Sequence, residues 1–114
     1  MWPRISTSAV LAAIALCGGA ARAAAPVTVE LKDHRFTPQT LTVPAGETVR
    51  IVLVNHDAAT EEFDSRELNV EELVTPQGQA SFTIGPLKPG TYAFMGEFHP
   101  DTAQGHVVAV EPRP

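Results

Sequence analysis

The chain has 114 residues, 44% of them hydrophobic, which is enough for one core and predicts a single domain. Its formal net charge of −5 at pH 7 argues against nucleic acid or anionic lipid as a partner. Its one cysteine, Cys17, excludes a disulfide framework.

The first segment reads as an export signal. Arg4 gives a positive start, Ala9 to Leu16 is an unbroken apolar run, and Ala21-Arg22-Ala23 fits a small-x-small cleavage pattern. Residues 1–23 are therefore expected to be removed, leaving a domain over 24–114 in the periplasm. The apolar run is too short for a membrane anchor, and Leu16 is a poor residue before a lipid-modified Cys17. Loss of Arg4 and Arg22 leaves six Lys/Arg against thirteen Asp/Glu, a net charge of −7. Loss of Cys17 leaves no thiolate ligand.

The remainder carries strand signals at short spacing. Val27, Val29 and Leu31 alternate with polar residues, as a half-buried strand does. His34 to Pro38 reads as a turn region with Phe36 as an apolar plug. Leu41 and Val43 alternate before the Pro44-Ala45-Gly46 turn. Val49 to Val54 is a β-branched run that predicts a central strand, closed by Asn55-His56-Asp57. Thr60 to Asp64 is polar with Phe63 as its anchor. Ser65 to Thr75 fits either a capped helical turn or a strand, and the expected form is a loop followed by a strand from about Val70. Gln79 to Ile84, Thr91 to Met95 and His106 to Val110 complete the set. About seven short strands, with no long helix and no repeat, predict an all-β, single-domain Greek-key β-sandwich.

The stretch Pro89 to Gly105 concentrates the chemistry. Met95, Glu97 and His99 lie within five residues, and thioether, carboxylate and imidazole together suit a transition metal better than magnesium or calcium. By strand alternation Glu61 shares the inward face of Phe63. A buried carboxylate must be paired or protonated, and a metal is one such pair. Met95 also fits as a core residue, and Glu97 as a partner that orients a histidine. His34, His56 and His106 have no support beyond residue type. No nucleophile–base order or phosphate loop is present, so no catalytic residues are expected.

Phe36-x-Pro38, Val43-Pro44-Ala45-Gly46-Glu47-x-Val49, Asn55, Pro89-Gly90-x-Tyr92-x-Phe94, His99-Pro100 and Gly105 together resemble the cupredoxins over essentially all of the exported chain. Blue-copper proteins use two His, one Cys and a weak axial Met. Carried over, Glu61 stands at the first ligand position, Gly96 at the Cys, His99 at the second His and Ala103 at the axial Met. A blue-copper site is thereby excluded. The resemblance, with the nearby ligand-type residues, implies a copper or iron site built from His99, Glu61, Met95 and Glu97. The segments Glu61 to Ser65 and Phe94 to Gly105 are further similar to the cupredoxin-like component of bacterial periplasmic ferrous-iron uptake systems. That resemblance implies work beside a periplasmic iron/copper-binding protein and an inner-membrane iron permease, with one-electron oxidation of Fe(II) as one role. The contrasting expectation is a metal-free module whose acidic end docks a basic partner.

Overall fold

The computed structural model describes residues 24–112. The expected signal peptide over 1–23 lies outside the described residues.

Among the described residues nine strands form: β1 Val27–Lys32, β2 Arg35–Thr37, β3 Thr40–Pro44, β4 Val49–Asn55, β5 Glu61–Ser65, β6 Val70–Val74, β7 Gln79–Ile84, β8 Gly90–Gly96 and β9 Gln104–Val110. They make two sheets, β2-β1-β4-β7 and β3-β9-β8-β5-β6. β1 runs parallel to β4 and β3 parallel to β9, while the other pairs are antiparallel. The sandwich expected from the sequence is therefore present, with nine strands instead of seven.

The two additional strands are β2 and β5. β2 has three residues and one apolar side chain, too few to show a period. β5 hides its period because its inward residues are Glu61, Phe63 and Ser65, only one of them apolar. Between β5 and β6 no helix forms, but the expected cap is present: the Ser65 hydroxyl accepts a hydrogen bond from the Leu68 N–H at 3.1 Å, the Asn69 N–H closes a turn on the Arg66 carbonyl oxygen at 3.2 Å, and the strand begins at Val70 as expected.

Alternation builds the core. Leu41 and Val43 of β3, Val49, Ile51 and Leu53 of β4, and Val107 and Ala109 of β9 all point between the sheets and are buried. Phe63 sits at the centre, fully buried, with ring centroids 4.6 Å from Phe94, 4.8 Å from Phe82 and 5.9 Å from Phe36. Such offset and edge contacts add to the gain from burial. Gly105 lets Phe94 into this cluster: a Cβ there would lie 2.3 Å from the Phe94 ring and 2.6 Å from the Gln39 carbonyl oxygen.

The cluster places β5 and β8 side by side, with Phe63 opposite Gly96. It thereby fixes where Glu61 enters and where the β8–β9 loop begins.

Gly105→Ala is expected to overpack this core and lower stability by about 1–3 kcal/mol, read as a fall in the denaturant midpoint with the slope unchanged.

Candidate metal centre

Three connections meet at one end of the sandwich: the β1–β2 turn, the β4–β5 connection and the β8–β9 loop. Each contributes one element of a polar cluster.

Glu61, first residue of β5, is the buried element at 1% exposure. Its inward direction follows from alternation with Phe63. Its Oε1 accepts hydrogen bonds from the Phe98 N–H at 2.9 Å and the Glu62 N–H at 3.1 Å. Its Oε2 lies 2.5 Å from His99 Nδ1. Both oxygens are thus satisfied, as a buried carboxylate requires.

His99 sits in a tight loop. Its N–H donates to the Gly96 carbonyl oxygen at 3.1 Å, and its own carbonyl oxygen accepts from the Thr102 and Ala103 N–H groups at 3.2 and 2.9 Å. The loop backbone therefore holds the imidazole against Glu61. The His99 side chain is 30% exposed, so one edge of the ring faces solvent.

His34 lies flat on His99, with ring centroids 3.6 Å apart and planes 14° from parallel. It comes from the two-residue turn Asp33-His34, with φ of 52° and 57°. Left-handed backbone at two successive residues is the conformation such a turn needs, and Asn-Gly is its usual sequence. Asp and His tolerate it better than most side chains, but a left-handed non-glycine residue still costs of order 1 kcal/mol or more. Asp57 offsets that cost. Its two carboxylate oxygens accept from the Asp33 N–H at 2.8 Å and the His34 N–H at 3.0 Å. Asp57 Oδ2 also stands 3.5 Å from His34 Nδ1. Burial pushes the Asp57 carboxyl up. The two N–H donors and the nearby His34 and His99 charges outweigh it and bring it below its ordinary value. Asn55 anchors Asp57 in turn. Its Oδ1 accepts from the Asp57 N–H at 2.9 Å while its Nδ2 donates to the Ala59 and Thr75 carbonyl oxygens at 2.8 and 3.1 Å.

One ligand-type atom from each of His34, Glu61 and His99 lies within 4.8 Å of the others. Two of the four residues selected from the sequence, Glu61 and His99, are therefore brought together. Met95 and Glu97 are not. Alternation continues through β8, so Met95 points to the outer face of the sheet, 42% exposed and level with Asp64. Glu97 follows it there, its N–H donating to the Glu62 carbonyl oxygen at 2.9 Å. Met95 is accordingly neither core nor beside His99.

On that outer face Glu62, Asp64 and Glu71 bring carboxylate oxygens within 4.8 Å of one another. The Glu62 carboxyl is raised above its ordinary value by a hydrogen bond with Glu97, by partial burial, and by the charges of Glu97, Glu71 and Asp64.

His34 is the residue that sequence reasoning missed. It lies 65 positions before His99 in the sequence, and only the pairing of sheets shows that its turn reaches the β8–β9 loop. The available signal was the Asp33-His34 pair between two strands, together with a free Asp57 after a predicted strand end.

The cupredoxin-like domain family matches residues 5–109, and the chain belongs to that family. An uncharacterized protein of Rickettsia prowazekii (strain Madrid E), RP394, is 40% identical over 82 residues. The match covers 72% of this chain and 66% of that protein, just under two thirds of its length. Among solved structures, a Cu(I) form of an amicyanin variant superposes with a TM-score of 0.60 at 21% identity, covering 75% of this chain and 82% of that one. The metal-binding domain of the Cu(I)-exporting P-type ATPase CopA of Streptococcus pneumoniae D39, with Cu(I), superposes with a TM-score of 0.64 at 14% identity, covering 75% and 85%. At these identities the structural likeness establishes the fold.

A blue-copper centre does not fit this end of the sandwich. No cysteine stands among residues 24–112. At Gly96 a Cβ would lie 2.7 Å from Glu61 Cδ and 2.7 Å from Ala103 Cβ. The Glu61 carboxyl group therefore crowds the space a side chain at 96 would need. What does fit is an imidazole–carboxylate donor set, which suits copper(II), zinc or iron in place of a copper–thiolate.

Gly96→Ala is expected to push Glu61 off His99, seen as loss of the downfield His99 ring N–H signal while most core amide shifts stay in place. Glu97→Gln is expected to raise the melting temperature slightly at pH 7. The sign follows from Glu62: a carboxyl whose folded-state value is raised costs stability when ionised, and that cost fades as pH falls through the raised value. The advantage of the variant should therefore vanish in the acid range.

Proposed function

We propose that this chain is a cupredoxin-family protein whose domain, without cysteine over residues 24–114, binds a transition-metal ion, copper foremost, at Glu61 and His99 in an exported compartment. The observation that carries this reading is a fully buried carboxylate pressed against His99 Nδ1 at 2.5 Å. His99 lies on the β8–β9 loop and Glu61 at the start of β5, the two positions where the sequence resemblance puts metal ligands. A polar pair at the end of an apolar sandwich is costly to bury, and a proton shared between carboxylate and imidazole is what a cation replaces on binding. Fold neighbours that hold copper support that metal over others.

The ion would be held by Glu61 and His99, with Phe98 and Glu62 N–H groups orienting the carboxylate. Bound copper would supply a one-electron acceptor. Residues 61–65 and 94–105, in their similarity to ferrous-iron uptake components, support Fe(II) as the electron donor. An inner-membrane iron permease and a periplasmic iron/copper carrier are the proposed partners. The export-signal pattern in residues 1–23 supports the periplasm as the place of action.

A second reading, a metal-free docking module, is favoured by one observation. The outer face of β5, β6 and β8 exposes Leu73 and Met95 among Glu62, Asp64 and Glu71.

Equilibrium dialysis against Cu(II), Cu(I), Fe(II) and Fe(III), followed by metal analysis, separates the two. Near-stoichiometric copper in the wild type is expected, lost in His99→Ala. In Glu61→Gln it should fall by about 10-fold or more, because the neutral amide no longer draws a cation. Uptake no greater than that of a histidine-free control protein would end the metal reading and leave the docking one. For the redox role, mixing the copper-loaded protein with Fe(II) should bleach the Cu(II) signal with one Fe(III) formed per copper. No reaction over minutes would reduce the role to binding and delivery.

A further inference from the structure

The family pattern loses an imidazole where Glu61 stands, and a second imidazole reaches the same point from another part of the fold. We propose that His34 is a ligand of the same ion, and that Asp57 is the positioning residue that keeps it there. The inference rests on the Glu61–His99 reading above and extends it to a two-histidine, one-carboxylate site.

Four observations carry it. His34 is packed ring-on-ring against His99, at 3.6 Å and 14°. A ligand atom of His34 is within 4.8 Å of ligand atoms of both Glu61 and His99. Its backbone is held in a left-handed conformation by an external carboxylate, at φ 57°. Its side chain is 42% exposed, so part of the ring borders solvent. Ring lone pairs lie in the ring plane, so two nearly parallel rings direct them side by side. A turn of the His34 side chain about its own bonds, in exchange for the stacked contact, would bring its lone pair toward the others, whose ligand atoms already lie within 4.8 Å. The other histidines cannot substitute. His56 turns its Nε2 to Glu30 at 3.2 Å, and His106 is exposed on β9 level with Ala93.

Asp57 does the holding. It binds both N–H groups of the turn and approaches His34 Nδ1, so it sets the turn and biases which ring nitrogen is free. A two-histidine, one-carboxylate set favours a divalent ion, and the inference therefore assigns Cu(II) over Cu(I) as the tighter-bound state.

The test is a count of imidazoles on Cu(II). Pulsed electron paramagnetic resonance of the Cu(II)-loaded full chain is expected to show two coordinated imidazoles in the wild type. One is expected in His34→Asn, since asparagine tolerates the left-handed turn, and two in His56→Ala. Loss of His34 should weaken Cu(II) binding beyond the roughly 10–100-fold that loss of an outer partner costs. Asp57→Ala should fall within that 10–100-fold range and give a mixed one- and two-imidazole spectrum. Asp57→Asn, which keeps an acceptor for the turn, should recover most of the two-imidazole form. Circular dichroism of each variant confirms that the sandwich is retained. One imidazole in the wild type, or two that survive His34→Asn, overturns the inference while leaving the Glu61–His99 site standing. No Cu(II) uptake by the wild type overturns both.

Discussion

The contact between Glu61 and His99 is the constraint around which this end of the molecule is arranged. A carboxylate at 1% exposure is tolerated only with every oxygen engaged, and three donors do so. Two of them are backbone N–H groups, of Phe98 and Glu62, which no substitution removes short of proline. The third is an imidazole that the backbone of its own loop holds in place. The pair is only partly buried, since His99 keeps a solvent-facing edge. It therefore does not carry the full desolvation penalty of an ion pair sealed in the core. For the proposed site that intermediate position would suit a ligand pair: dry enough to favour a cation, open enough to be reached.

The small residues around the pair follow from it. Gly96 and Ala103 are the two places where the family pattern would carry sulfur ligands. In this chain both are pared down, and a methyl at 96 would already touch Glu61 and Ala103. Glu61, Gly96 and Ala103 behave as one substitution in physical terms: the carboxyl group takes the volume that larger side chains would fill. The change also alters the chemistry, replacing a soft, covalent sulfur environment with harder nitrogen and oxygen donors.

Much of this was legible in the sequence. The alternation through Leu41 and Val43, and the run Val49 to Val54, give the sheets. Period-two logic alone turns Glu61 inward beside Phe63. His99 is reached by spacing in a loop already rich in ligand groups. What was not legible has two causes. Short or polar strands carry too few apolar residues to show a period, which hid β2 and β5. And proximity in sequence is a poor guide across a strand end: Met95 and Glu97 lie close to His99 along the chain, but the pleat sends Met95 to the other face. His34 fails in the opposite way, distant in sequence and in ring contact in space.

The Asp57 clamp shows how such a distant residue is made dependable. A loop side chain on a freely moving turn would incur a conformational-entropy cost each time it was ordered at a site. Here the turn adopts an uncommon left-handed form at two residues, and the carboxylate that rewards that form is itself fixed by the buried Asn55. Asn55 bridges the β4–β5 connection and the segment after β6, so the chain of contacts runs from the core of the sandwich to the His34 ring. Each link joins a side chain, Asn55 or Asp57, to backbone groups. Such a chain makes Asp57 the residue that holds the turn, and leaves His34 as the position where a change of side chain alters the proposed site while the backbone links are kept. The two sheets below them supply only the rigidity that keeps three separate connections in register.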